Sequence, residues 1–108
     1  MQIIFHSHHA TVSERMRLRA EQGVRKLATR LGGAVDAVIR FEDDGPARRV
    51  EIVMHASRHR RLVAEGQSRY RGPALAQALD GLRDQVDRAR RGRSKAVRRR
   101  AALKAQTA

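Results

Sequence analysis

Apolar side chains recur along this chain with two different periods, and each change of period marks the end of an element. Residues 2–6 form a short β-like run in which Ile3, Ile4 and Phe5 are apolar. A connection follows over residues 8–12. Met16, Ala20, Val24, Leu27, Ala28 and Leu31 then recur every three or four positions, as one face of a helix does. Ser13 is placed to cap that helix, Thr11 and Glu14 also have capping-box spacing, and Gly32-Gly33 ends it. Gly23 inside it costs about 1 kcal/mol relative to Ala. The period then shortens to two. Val35, Ala37, Ile39 and Phe41 share one face of a strand; Val50, Ile52, Met54 and Ala56 share one face of the next; Leu62 and Ala64 point inward from a third. Asp43-Asp44-Gly45-Pro46 and residues 57–60 read as the turns between them. Gly72-Pro73 opens a second helix, in which Leu75, Leu79, Leu82, Val86 and Ala89 form a single stripe.

The predicted order is β-α-β-β-β-α. One-sided strands and one-sided helices imply an α+β, two-layer sandwich: a four-stranded sheet with both helices packed on one face. Residues 1–95 read as one domain. The apolar pattern fades after Arg90, and Gly92 weakens the helix, so residues 96–108 read as a basic, flexible C-terminal tail.

Charge sets the class of partner. The chain has 108 residues, and 24 basic side chains against 11 acidic ones give it a net charge of +13. Residues 90–108 alone hold eight basic side chains and no acidic one. A solubilising surface mixes both signs; a field this one-sided suits a nucleic-acid backbone. Arg outnumbers Lys by 21 to 3. The guanidinium fork matches phosphate oxygens, although GC-rich coding also raises the ratio. Phe5, Phe41 and Tyr70 are the only aromatic residues, too few for a reader that stacks single-stranded bases.

Other chemistries are poorly supported. There is no cysteine, hence no disulfide framework and no thiolate site. No apolar run approaches the roughly 18 residues of a membrane span, and the first residues lack the pattern of a signal peptide. A soluble, cytoplasmic protein is expected. His6 and His8 share one side of a strand, and His9, His55 and His59 add to the histidine count, but no carboxylate completes a metal set. Glu42, Asp43 and Asp44 are accounted for by turn chemistry, and Asp80, Asp84 and Asp87 by ion pairing along a helix with Arg83, Arg88 and Arg91. No catalytic motif is present, so the expectation is a non-enzyme with no cofactor, no metal and no small-molecule substrate.

The basic residues lie on the helices. The outer surface of the first would carry Arg15, Arg17, Arg19, Arg25, Lys26 and Arg30; that of the second, Arg83, Arg88, Arg90, Arg91, Arg93 and Lys95. Together they make a broad patch for phosphates. Phosphate contacts carry no base sequence directly, and structured RNA is read largely by shape.

Met1-Gln2-Ile3-Ile4, the Val12-Ser13-Glu14 helix start, the run Leu62-Val63-Ala64-Glu65-Gly66-Gln67, and Ala78-Leu79-Asp80-Gly81-Leu82 with Asp84 and Arg88 occur here in this order. In these residues the chain resembles the ribosome hibernation promoting factors, the sigma-54 modulation protein and ribosome-associated inhibitor group, over residues 1 to about 95. The resemblance implies the same β-α-β-β-β-α fold. It implies a factor of stressed or stationary bacterial cells that binds the small ribosomal subunit in the mRNA and tRNA channel and silences idle ribosomes. It also implies rRNA contacts from the basic ends of both helices: Arg25 and Lys26 on the first, with Arg88, Arg90, Arg91, Arg93 and Lys95 on the second; the basic helix surface adds Arg30 and Arg83 as candidates for the same contacts. Many relatives promote ribosome dimers. The chain departs from the family where Ser68-Arg69-Tyr70-Arg71-Gly72-Pro73 intervenes before the second helix, and its tail is basic, so it is most similar to a divergent short form. The alternative reading is a general RNA- or DNA-binding module, of RNA-chaperone or nucleoid type.

Overall fold

The structure is a computed structural model. It describes the backbone of residues 1–58 and 60–107 and the side chains of that backbone up to residue 92. The elements are β1 (Gln2–His8), α1 (Glu14–Leu31), β2 (Ala34–Asp44), β3 (Ala47–Ala56), β4 (Arg60–Ser68) and α2 (Arg71–Thr107). The order, the four-stranded sheet and the helices packed against it are those the periodicities predict. Periodicity did not reveal the pairing of β1. The sheet order is β1-β2-β3-β4, with β1 parallel to β2 and the other pairs antiparallel. A parallel neighbour needs a crossover, and α1 supplies it.

One sheet face forms the core with the helices. Ala37, Ile39 and Phe41 meet Met54, Ile52 and Val50 across the central pair of strands. Ala20, Val24, Leu27, Ala28 and Leu31 cover them from α1; Ala74, Leu75, Ala78, Leu82 and Val86 do so from α2. Each large side chain in this set contributes about 1.5–3 kcal/mol on burial. Val35 was expected to join the inner face and does not: it is 58% exposed. The register shifts between Ala34 and Asp36, so Val35 is an extra residue and its side chain is turned outward.

The ends of the elements follow local chemistry. Ser13 Oγ accepts the N–H of Met16 at 3.1 Å and caps α1. Gly32 and Gly33 both have φ near +70° (73° and 72°), which releases the chain into β2. Gly45, at φ 58°, takes the first place of the two-residue turn between β2 and β3, where a hairpin of this kind favours glycine.

Two glycines set how closely the layers approach. A Cβ on Gly66 would lie 1.9 Å from the carbonyl oxygen of Ala74, so β4 can touch the start of α2 only without a side chain there. A Cβ on Gly23 would lie 2.8 Å from Leu79 Cδ1. The propensity cost of Gly23 is therefore offset by a close α1–α2 contact. α2 starts at Arg71, with Pro73 in its first turn, and its backbone is helical through Thr107 without a break at Gly92 or residue 95. Residues 96–107 consist mostly of strong helix formers, which accounts for the continuation.

Candidate nucleic-acid interface

Helical spacing sorts the basic side chains of α1 into two groups. Arg19, Gly23, Lys26 and Arg30 recur at four, three and four, and this stripe faces α2. Gly23 meets Leu79, and Lys26 and Arg30 form one wall of a groove whose other wall is Leu79, Asp80 and Arg83. The groove encloses about 460 Å³ over a floor that includes Leu27. Arg17 and Arg25 lean the other way, towards β1. The Arg17 guanidinium stands 6.0 Å from the centroid of Phe5, which stacks on Phe41. Arg25 donates to Glu21 Oε1 at 3.0 Å and to the Met1 carbonyl at 3.2 Å. The single outer patch expected from the sequence is thus a groove-facing row plus a separate pair over β1.

Of the predicted α2 residues, Arg83, Arg90 and Arg91 continue the groove-facing row by helical spacing. Arg83 bonds Asp80 at 3.0 Å on its own helix. Arg30 of α1 forms an ion pair with Asp87 of α2 at 2.9 Å. Ion pairing along α2 was expected for the acidic residues; it holds for Asp80, whereas Asp87 is used to join the helices. Arg90 and Arg91 follow Arg83 and Asp87 at helical spacing, and with Arg88 they are exposed. No acidic partner approaches these three or Lys26 among the described residues. The side chains of Arg93 and Lys95, and the basic ones of the expected tail, lie outside the described residues, as does His59. Among the predicted contact residues whose side chains are described, Lys26, Arg88, Arg90 and Arg91 are therefore the ones without a carboxylate partner, while Arg25, Arg30 and Arg83 would have to share one.

A clasp that the sequence reading missed holds the near end of this layer. Arg71, first residue of α2, donates to both carboxylate oxygens of Asp43 on β2, at 2.9 and 3.1 Å, and also reaches the Thr11 carbonyl at 3.4 Å. Arg48 stands 3.7 Å from the same carboxylate. The Arg71 hydrogen bond, aided by the charges of Arg71 and Arg48, holds the Asp43 carboxyl below its usual range against the opposing effect of burial. Asp43 is thus a structural anchor and not part of a turn. The partners lie 28 residues apart, and no local pattern signals such a pair. The signal that was available is in α1, where a glycine inside a basic stripe marks a close helix crossing.

No group of three or more His, Cys, Asp or Glu close enough to hold a metal occurs among the described residues. No described helix is long and apolar enough to cross a membrane.

Residues 3–94 match the family described as Sigma 54 modulation protein / S30EA ribosomal protein. The chain belongs to that family. The match spans the sheet, α1 and most of the described part of α2. No curated protein matches the chain in sequence. Among solved structures, the chain is similar to a ribosomal subunit interface protein from Coxiella burnetii, with a TM-score of 0.76 at 13% identity, covering 83% of this chain and 98% of that one. It is also similar to the N-terminal domain of Protein Y from Thermus thermophilus, with a TM-score of 0.70 at 21% identity, covering 82% of this chain and 98% of that one. At these identities the likeness is one of fold. The family description speaks of a modulation protein and a ribosomal protein and assigns no reaction.

Proposed function

We propose that this protein is a ribosome-associated translation inhibitor of the hibernation type, which binds rRNA of the small subunit in the mRNA and tRNA channel and silences idle ribosomes by occlusion. Family membership over residues 3–94 carries the reading. The two neighbours in fold, one a subunit interface protein and the other a Protein Y domain, agree with it. The mechanism needs no cofactor and no bond-making step. It works in the cytoplasm of stressed or stationary bacterial cells, where empty ribosomes accumulate.

The physical chemistry follows from the helix layer. Lys26, Arg88, Arg90 and Arg91, extended by Arg93 and Lys95, approach phosphates of the folded rRNA, with Arg25, Arg30 and Arg83 adding to the field. Each neutralised phosphate releases condensed counterions, which makes binding steeply dependent on salt. Charge brings the protein to RNA of any sequence, and the rigid two-layer body then selects a cleft of the right shape. Occupying that cleft excludes tRNA and mRNA.

Competition tests this reading against a general nucleic-acid binder. Ribosomes preloaded with mRNA and tRNA should exclude the protein, and the bound protein should in turn block tRNA binding. Equal binding to empty and preloaded ribosomes would contradict occlusion and favour the general RNA- or DNA-binding module. The same gradients show whether ribosomes pair when the protein is added.

A further inference from the structure

The helix layer accounts for one side of the sheet only. On the other side, the strand register lays out four rows that each cross all four strands. They run Gln2, Asp36, His55, Arg61; then Ile4, Val38, Val53, Val63; then His6, Arg40, Glu51, Glu65; then His8, Glu42, Arg49, Gln67. The second row is entirely aliphatic. Its ends are well exposed, with Ile4 and Val63 each at 40%, while Val53 is already buried. No described element covers this face, because both helices pack on the opposite one. Its charge also differs from the rest of the molecule. Asp36, Glu42, Asp44, Glu51 and Glu65 stand against Arg40, Arg49 and Arg61, so the face is mildly acidic on a chain of net charge +13.

The order of charges within the rows identifies the partner. Consider a two-fold axis lying on this face, along the strands and between β2 and β3. It carries β2 onto β3 and β1 onto β4 of a second copy, and leaves each row on itself. Arg40 then faces the second copy's Glu51, Glu42 its Arg49, Asp36 its His55, and His6 its Glu65. Gln2 faces Arg61, and His8 faces Gln67. The aliphatic row meets its own image, Val38 on Val53 and Ile4 on Val63. Every charge meets an opposite or a neutral group, and no like charges meet. A symmetric dimer requires this self-complementarity, and two sheets stacked face to face meet by such rows about 10 Å apart.

We infer that the outer face of the sheet is a docking surface for a second copy of this chain. The two copies pack sheet to sheet, with the helix layers on opposite outer sides of the dimer. Four strands about 4.8 Å apart and seven residues long cover roughly 450 Å² on each copy. That is below the roughly 800 Å² per partner of a standard stable interface, so the dimer is weak and reversible. The charge of the helix layers adds repulsion, which salt relieves within a Debye length of about 6 Å near 0.3 M.

Analytical ultracentrifugation of the whole protein alone, at about 0.3 M salt and up to roughly 1 mM, tests this without any ribosome, so its failure is separate from failure of the functional proposal. A dimer is expected to grow in with concentration, at a dissociation constant on the order of 100 μM. Ile4→Asp with Val63→Asp should leave the circular dichroism unchanged and weaken association at least tenfold. Arg40→Glu alone should weaken it, and adding Glu51→Arg should restore it. A protein that stays monomeric at 1 mM, or a dimer indifferent to Ile4→Asp with Val63→Asp, would overturn the proposal. If that pair unfolds the chain, the Arg40 and Glu51 series decides: dimerisation unchanged in Arg40→Glu overturns it.

Discussion

Asp43 is the carboxylate whose ionisation bears most directly on the fold. Its acid form is disfavoured because Arg71 bonds both oxygens and Arg48 adds charge. Its pKa is lower folded than unfolded, so the stability it contributes is fully present above the unfolded value near 4 and is lost as pH falls through the folded one. Both side chains are under one-fifth exposed, at 16% and 18%, so solvent screens the pair only in part. Asp43→Asn should cost about 1–3 kcal/mol at pH 7, read by denaturant titration, and the gap to wild type should shrink below about pH 4. An equal gap at pH 7 and pH 3 would contradict the linkage. Glycines divide the same way by what surrounds them. Gly66→Ala drives a methyl into the Ala74 carbonyl and should cost about 2–3 kcal/mol. Gly92 has nothing within 4 Å, so Gly92→Ala should gain about 0.5–1 kcal/mol. Alternation placed Ile39, Phe41, Ile52 and Met54 in the core correctly, since a period of two is a purely local property. It misplaced Val35, because one extra residue in a strand inverts the sides and leaves no mark in the pattern.

At the scale of elements, α2 also shields the exposed edge of the sheet. The Gln85 carboxamide accepts the N–H of Val63 at 3.1 Å and donates to the carbonyl of the same residue. Gln77 accepts the N–H of Gln67 at 3.1 Å. A bare edge strand is a template for aggregation, and here helix side chains occupy three of its open groups. Gln85→Ala should leave the helix content intact and speed hydrogen exchange at the Val63 amide about fivefold to tenfold, the effect of losing roughly 1 kcal/mol. Exchange unchanged at Val63 would show that the edge needs no such cover. Both helices were legible as elements, because their apolar stripes are long and regular. Their partners were not: the Arg30–Asp87 ion pair and the parallel β1–β2 pairing join residues distant in sequence, and periodicity carries no distance information.

For the whole molecule, the unequal distribution of charge is the feature that function would use. Basic residues crowd the helix layer, while the bare sheet face is mildly acidic. The sequence already showed that the positive charge belongs to the helices. Which cations remain free needed the structure, because Asp80 and Asp87 hold Arg83 and Arg30. With about six phosphates neutralised, ribosome binding should weaken with a log–log salt slope of about −4 to −5. Replacing Arg88, Arg91 and Arg93 together by Ala should flatten that slope by about 2–3 and weaken binding without altering the circular dichroism spectrum. An unfolded triple variant would make those side chains structural instead. The most direct measurement is sedimentation of the purified protein with isolated small subunits, isolated large subunits and a free RNA duplex, each at moderate salt. The expected result is comigration with the small subunit, and much weaker retention by the other two. Equal retention by all three, or protein left at the top of the small-subunit gradient, would contradict small-subunit binding.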